Sequence, residues 1–175
     1  MMGIRSILCL ILLCGSCTST YGDWDWETVD YGPGNEVLVI QLDTDDDVDQ
    51  SDVKFLFQWG DNEFDVVVDE YRNGVIIDSR RVDFFVDRFA EVYVFGGQNS
   101  VNVIDGTELF IAQPVLSMYG GTRDDQMRGA HSIRGAAGND TISHANEAWG
   151  EAGDDQIFDI YLTADGGTGN DTILN

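Results

Sequence analysis

The chain is poor in cysteine, lysine, histidine and proline, and each shortage excludes something. All three cysteines, Cys9, Cys14 and Cys17, lie within the first 17 of 175 residues. Beyond them no disulfide can form, so stability must come from packing or from a bound ion. Lys54 is the only lysine, and 9 Lys and Arg face 32 Asp and Glu, for a formal net charge of −23. A surface of that sign repels phosphate, which excludes a nucleic-acid binder built on a basic patch. His131 and His144 are the only histidines. No H-E-x-x-H zinc motif, G-x-S-x-G elbow or phosphate loop occurs. Carboxylates are so frequent that a pair of them has no diagnostic value, and a non-catalytic protein is the expectation. The apolar run near the N-terminus is too short to span a bilayer, so no transmembrane segment is expected.

What is present points to strands and turns. Hydrophobic residues make up 43% of the chain, enough for a core and too many for a disordered acidic tail. Twenty glycines and two prolines accompany many β-branched residues. Residues 1–20, MMGIRSILCLILLCGSCTST, carry Arg5, a short apolar stretch and then small polar residues, the pattern of a secretory signal. The run Leu13-Cys14-Gly15-Ser16-Cys17 resembles a bacterial lipobox with its Leu one place too far upstream. A lipid anchor at Cys17, as in an outer-membrane lipoprotein, therefore stands beside simple secretion. Either way the protein is expected outside the cell or on its surface.

Residues 21–35 mix aromatics and acids around Gly-Pro-Gly and read as a linker. Residues 36–104 read as a β-rich module of antiparallel hairpins, with strand-like runs at 37–42, 53–59, 64–69, 75–78, 82–86, 92–95 and 101–104. Asn73-Gly74 is a strong two-residue hairpin signal. A further strand is expected at 115–119 after Pro114. The one weak helix candidate is Glu147-Ala148-Trp149. The acidic run 43–49 fails as an EF-hand loop, because Val48 occupies the sixth-position glycine and Lys54 the twelfth-position carboxylate ligand, and it reads as a solvated loop.

From residue 105 to 175 a repeat decides the reading. GGTRDDQM at 120–127, GAAGNDTI at 135–142, GEAGDDQI at 150–157 and GGTGNDTI at 166–173 align without gaps. Each has Gly first, Asn or Asp fifth, Asp sixth and an apolar residue eighth. Glycines permit a tight loop with exposed carbonyls, and the sixth-position Asp adds a carboxylate. One loop supplies about half of the six to eight hard oxygens that Ca²⁺ takes, and a stacked neighbour supplies the rest. Gly96 to Val103 looks like a decayed copy with Val where the Asp belongs. The returns 129–134, 144–149 and 159–165 lack this signature, which puts the loops on one flank only.

These segments resemble the hemolysin-type (RTX) calcium-binding nonapeptide, G-G-x-G-x-D-x-U-x with U apolar, over about a third of the chain. The resemblance implies a short right-handed parallel β-roll or β-helix, so the expected fold is all-β, with N-terminal antiparallel hairpins leading into that roll. It implies Ca²⁺ as the bound ion, with Asp125, Asp140, Asp155 and Asp171 as side-chain ligands. Gly120, Gly135, Gly138, Gly150, Gly153, Gly166 and Gly169 are the loop positions. Three inter-loop sites follow: 120/135, 135/150 and 150/166. Arg123, in place of the fourth Gly, is expected to be strained and to oppose an ion at the first. Calcium binding coupled to folding is the expected function. A calcium-dependent polysaccharide lyase on a β-helix, with Arg123, Arg128 or Arg134 beside the ion, is one alternative. A surface adhesion or matrix module is the other. Strand edges left open after the last repeat make self-association there a further expectation.

Overall fold

The computed structural model describes residues 17–21, 24–29, 36–42, 52–59, 63–72, 74–85, 89–110 and 115–174. Thirteen strands follow one another: β1 (Cys17–Tyr21), β2 (Trp24–Val29), β3 (Glu36–Leu42), β4 (Asp52–Trp59), β5 (Glu63–Arg72), β6 (Val75–Phe85), β7 (Phe89–Phe95), β8 (Asn102–Asp105), β9 (Val115–Tyr119), β10 (Gln126–Ala137), β11 (Thr141–Ala152), β12 (Gln156–Thr168) and β13 (Thr172–Leu174). Among the described residues one helical turn, α1 (Thr107–Phe110), lies between β8 and β9. The fold is all-β, and most of its pairings are parallel.

The long strands β10, β11 and β12 each serve two ladders. In the first ladder β4, β8 and the leading part of β10 pair in parallel, and β11, β12 and β13 continue the stack. In the second, β3, β7, β9 and the trailing part of β10 pair in parallel, and β11 and β12 continue. Between the two parts of each long strand sits a residue with positive φ: Gly129 (75°), His144 (53°) and Asp159 (56°). Such a residue turns the chain from one ladder to the other. At His144 and Asp159 the side chain makes that conformation cost about 1 kcal/mol, and both are exposed.

Buried apolar residues of the two ladders meet between them. Phe57, Ile104, Met127, Ile142 and Ile157 project from the first, and Ile40, Val94, Met118, Ile133 and Ala148 from the second, into one buried cluster. Register explains the vertical order: Ile104, Met127, Ile142 and Ile157 occupy equivalent places in neighbouring strands. Each fully buried side chain of this size contributes roughly 1.5–3 kcal/mol. Because β10, β11 and β12 carry the eighth-position residues Met127, Ile142 and Ile157, the repeat in sequence becomes a column of core residues, while the fourth, Ile173 in β13, keeps the register but is 43% exposed.

Several expectations need correction. Trp24–Val29, expected in a linker, is a strand paired antiparallel with β1 and β3. The N-terminal region is only partly antiparallel: the β4–β5–β6 meander is, but β3 and β4 join the repeat strands through parallel pairing with β7 and β8. The division expected at 104/105 falls inside β8, and residues on both sides of it share the core cluster. The run 75–78 and residues 82–85 of the run 82–86 form one strand, β6, and residue 86 lies outside the described residues. Glu147-Ala148-Trp149 lies in β11, where Ala148 packs inward. The expected hairpin joins β5 and β6, with Arg72 opposite Val75 and Gly74 at φ 76°; Asn73 lies outside the described residues. Residues 1–16, the acidic run 43–49 and Pro114 lie outside the described residues, whereas Cys17 begins β1.

The repeats keep a 15-residue register between β10 and β11. The sixteenth residue of the last interval is absorbed inside β12, where the pairing with β11 shifts after Ala145. Tyr161 and Leu162 are the result, standing 61% and 73% exposed.

Candidate metal site along the Gly-Asp loops

The loops between the trailing part of one strand and the start of the next stack along a single edge. Their sixth-position aspartates turn inward. Asp125, Asp140 and Asp155 are each 1% exposed, and Asp171 is half-buried. Each Oδ1 accepts a backbone N–H from the equivalent position one repeat earlier. The N–H of Asp125 donates to Asp140 at 2.8 Å, that of Asp140 to Asp155 at 2.8 Å, and that of Asp155 to Asp171 at 3.1 Å.

This ladder begins one repeat earlier than the motif suggests. Asn102 donates its backbone N–H to Asp125 Oδ1 at 2.7 Å and its side-chain amide to the same atom at 3.0 Å. Its own Oδ1 accepts the Gly97 N–H at 2.9 Å, as Asp125 Oδ2 accepts that of Gly121 at 2.7 Å. Asn102, not Val101, is thus the sixth-position equivalent of the decayed copy. The 96–102 loop carries one extra residue, so an ungapped alignment misses it and a one-residue gap would find it.

A second ladder runs outside in the opposite sense through the exposed fifth-position residues. Asn139 N–H donates to Asp124 Oδ1 at 2.7 Å, Asp154 N–H to Asn139 Oδ1 at 2.8 Å, and Asn170 N–H to Asp154 Oδ1 at 2.8 Å. The requirement for an acceptor at this place accounts for the Asn-or-Asp choice in the fifth column.

The first-position glycines Gly120, Gly135, Gly150 and Gly166 are buried against these carboxylates. A Cβ on Gly135 would sit 2.1 Å from Asp140 Oδ2 and 2.7 Å from the Gly150 carbonyl oxygen. On Gly150 it would sit 2.1 Å from Asp155 Oδ2 and 2.6 Å from the Gly166 carbonyl oxygen. The fourth-position glycines Gly138, Gly153 and Gly169 take φ of 115°, 147° and 140° and pack over the backbone one repeat earlier. Arg123 is absent from the positive-φ residues, so the expected strain there does not arise. It falls instead at the second position, on Ala136 (80°) and Glu151 (76°).

Two buried oxygens, Asp140 Oδ2 and Asp155 Oδ2, have no hydrogen-bond partner. Burial pushes the Asp140 carboxyl up to about 7. The Asp125 N–H opposes the shift, and the charges of Asp125, Asp155 and Asp124 add to it. Burial likewise raises Asp125 to about 6, against the N–H donors of Gly121 and Asn102. Asp155 is raised by burial and by the charges of Asp171 and Asp154, against the Asp140 N–H. A proton or a cation would relieve each orphaned oxygen. The oxygens around these points are carboxylate and carbonyl, the donor set of a hard cation. Among the described residues no three His, Cys, Asp or Glu side chains converge on one point. The carboxylates are strung one per repeat, so carbonyls would have to complete any coordination shell.

The histidines stand apart from this edge. His131 Nδ1 accepts the Leu116 N–H at 3.1 Å, which identifies it as a packing residue, and His144 lies 3.7 Å from Asp159 on the opposite corner. No family model, curated protein or solved structure matches the chain.

Proposed function

We propose that the chain is a non-catalytic, calcium-binding module of the extracellular space or cell surface, built as a short right-handed parallel β-roll. The unpartnered buried Oδ2 atoms of Asp140 and Asp155 carry this reading. Asp140 with the Gly150 carbonyl, and Asp155 with the Gly166 carbonyl, would hold the ions. These are the 135/150 and 150/166 loop pairs. The 120/135 pair is the weaker one, because the Gly121 N–H already satisfies Asp125 Oδ2. A bound divalent cation supplies charge neutralisation to a column of stacked carboxylates in a chain of net charge −23. Its binding free energy then becomes folding free energy. Right-handedness follows from the usual hand of parallel crossovers. The RTX-like repeat and the signal-like segment 1–20 support secretion, with or without a lipid on Cys17.

A metal-free scaffold is the second reading. The uninterrupted N–H to Oδ1 ladder favours it, since protonated aspartates could stack without an ion. Far-UV circular dichroism of the chain, titrated with Ca²⁺ and reversed by chelator, separates the two. Metal-coupled folding gives a saturable gain in β-signal that equal ionic strength of Na⁺ does not produce. Asp140→Ala combined with Asp155→Ala abolishes the response. A folded chain indifferent to Ca²⁺ selects the scaffold.

A further inference from the structure

We infer that His131 is an acid-operated latch on the leading end of β9. Its neutral ring fastens that end and its protonated ring releases it. Leu116 lies fully inside the core cluster, and its backbone N–H donates to His131 Nδ1 at 3.1 Å. The topology explains why a side chain is needed there. β10 turns from one ladder to the other at Gly129 and pairs with β9 only from Ser132 onward, opposite Ser117. The Leu116 N–H stands one residue before that pairing starts, and the His131 ring reaches across to meet it.

Accepting at Nδ1 fixes the neutral ring with its hydrogen on Nε2. An imidazolium carries hydrogens on both nitrogens and accepts nothing. Protonation therefore takes the acceptor from a buried backbone donor. Phe110, at the end of α1, meets the ring edge-on at 5.3 Å, and Tyr161 of β12 stacks on Phe110 at 6.0 Å. The ring is half-buried, and burial alone pushes its titration below the ordinary histidine range. The charged and titratable groups around it are Arg128 and Arg134 of β10, Glu108 of α1, Glu91 of β7, His144 and Glu147 of β11, and Asp159 and Tyr161 of β12. None of them contributes to that shift. An unfolded histidine titrates near about 6.5. The latch is therefore complete above that pH and is lost as pH falls through the lower folded value. Its release is local, because β9 keeps its pairing with β7 from Val115 to Tyr119 and with β10 from Ser117.

Asp125 and Asp140 move global stability in the opposite sense over this range, so the test reads the latch locally. NMR of the chain at fixed Ca²⁺, from about pH 8 to about pH 5, follows the His131 ring and the exchange protection of the Leu116 amide, corrected for the intrinsic pH dependence of exchange. The ring is expected to titrate below the free-histidine value. Leu116 protection should fall about tenfold in step with it, the population change that one buried hydrogen bond supports. His131→Asn sets a carbonyl oxygen at the same remove from the backbone and takes no proton, so it keeps Leu116 protected throughout. His144→Asn removes the other histidine and leaves the Leu116 response as it was. The titration of the unmodified chain decides the matter even where a variant folds poorly. Leu116 protection indifferent to the His131 titration would overturn the latch. So would a ring titrating at or above the free value, or a pH response that survives in His131→Asn.

Discussion

The backbone N–H of Asp140 donates to the carboxylate Oδ1 of Asp155 at 2.8 Å, fifteen residues ahead in sequence and one strand away in space. The other oxygen of Asp155 is buried without a partner. One residue thus closes the backbone accounting of a loop and leaves a charge uncompensated.

Asp140→Asn keeps the Oδ1 acceptor and replaces the orphaned oxygen with an amide donor close to the Gly150 carbonyl. An asparagine, Asn102, already occupies the equivalent position two places down the ladder. With chelator present, Asp140→Asn is expected to raise stability by about 1 kcal/mol at neutral pH. Asp140→Ala should lower it by about 1–3 kcal/mol, because the Asp125 N–H loses its buried acceptor. Urea unfolding of both variants checks the pair of signs. An Asn variant as damaged as the Ala variant would refute the account.

Without calcium, stability should fall as pH rises. The folded chain holds Asp125 near 6 and Asp140 near 7, whereas an unfolded aspartate titrates near about 3.9. The folded state therefore binds more protons through that window. The contribution is complete below about pH 4 and is lost as pH climbs through 6 and 7. Ca²⁺ favours the ionised carboxylates, so its affinity should grow over the same range. Thermal midpoints across this range, with chelator and with Ca²⁺, read both effects. A chelator curve flat from pH 4 to 7 would count against the buried-carboxyl account.

Gly150→Ala should cost about 2–3 kcal/mol and remove the calcium response, since its Cβ would meet Asp155 Oδ2 at 2.1 Å. Gly74→Ala is the control. Its φ of 76° is unfavourable for alanine, but the space around it is open. That substitution should cost about 1 kcal/mol and leave the calcium response untouched. Equal losses at the two glycines would show that conformation, not the close carboxylate, is what matters at Gly150.

Ala136 holds φ at 80° in a place where the last repeat has Gly167 at 92°. Ala136→Gly is expected to stabilise the chain by up to about 1 kcal/mol, the relief of the left-handed strain exceeding the added unfolded-state entropy. Chemical denaturation checks the sign. A loss of stability would mean that the Ala136 methyl group packs usefully enough to outweigh its backbone.

Much of the fold was legible in the sequence because short-range chemistry is written there. Alternating β-branched residues marked most strands, Asn73-Gly74 marked a turn, and the 15-residue spacing of Ile142 and Ile157 marked a stacked column. The aspartates were also visible as a set, because one kind of residue recurs wherever the same backbone donor must be met. Pairing was not legible. An alternating run shows that a strand has an apolar side and leaves its neighbour unnamed, so the parallel contacts of β3 with β7 and of β4 with β8 came only from the packed structure. Asn102 escaped for a related reason: its role depends on Asp125, 23 residues away, and on a loop one residue longer. The inward turn of the carboxylates was likewise a tertiary decision. A Gly-Asp loop can present its acid to solvent or to the interior. Here the buried N–H groups of the preceding repeat, which need acceptors, drew it inside.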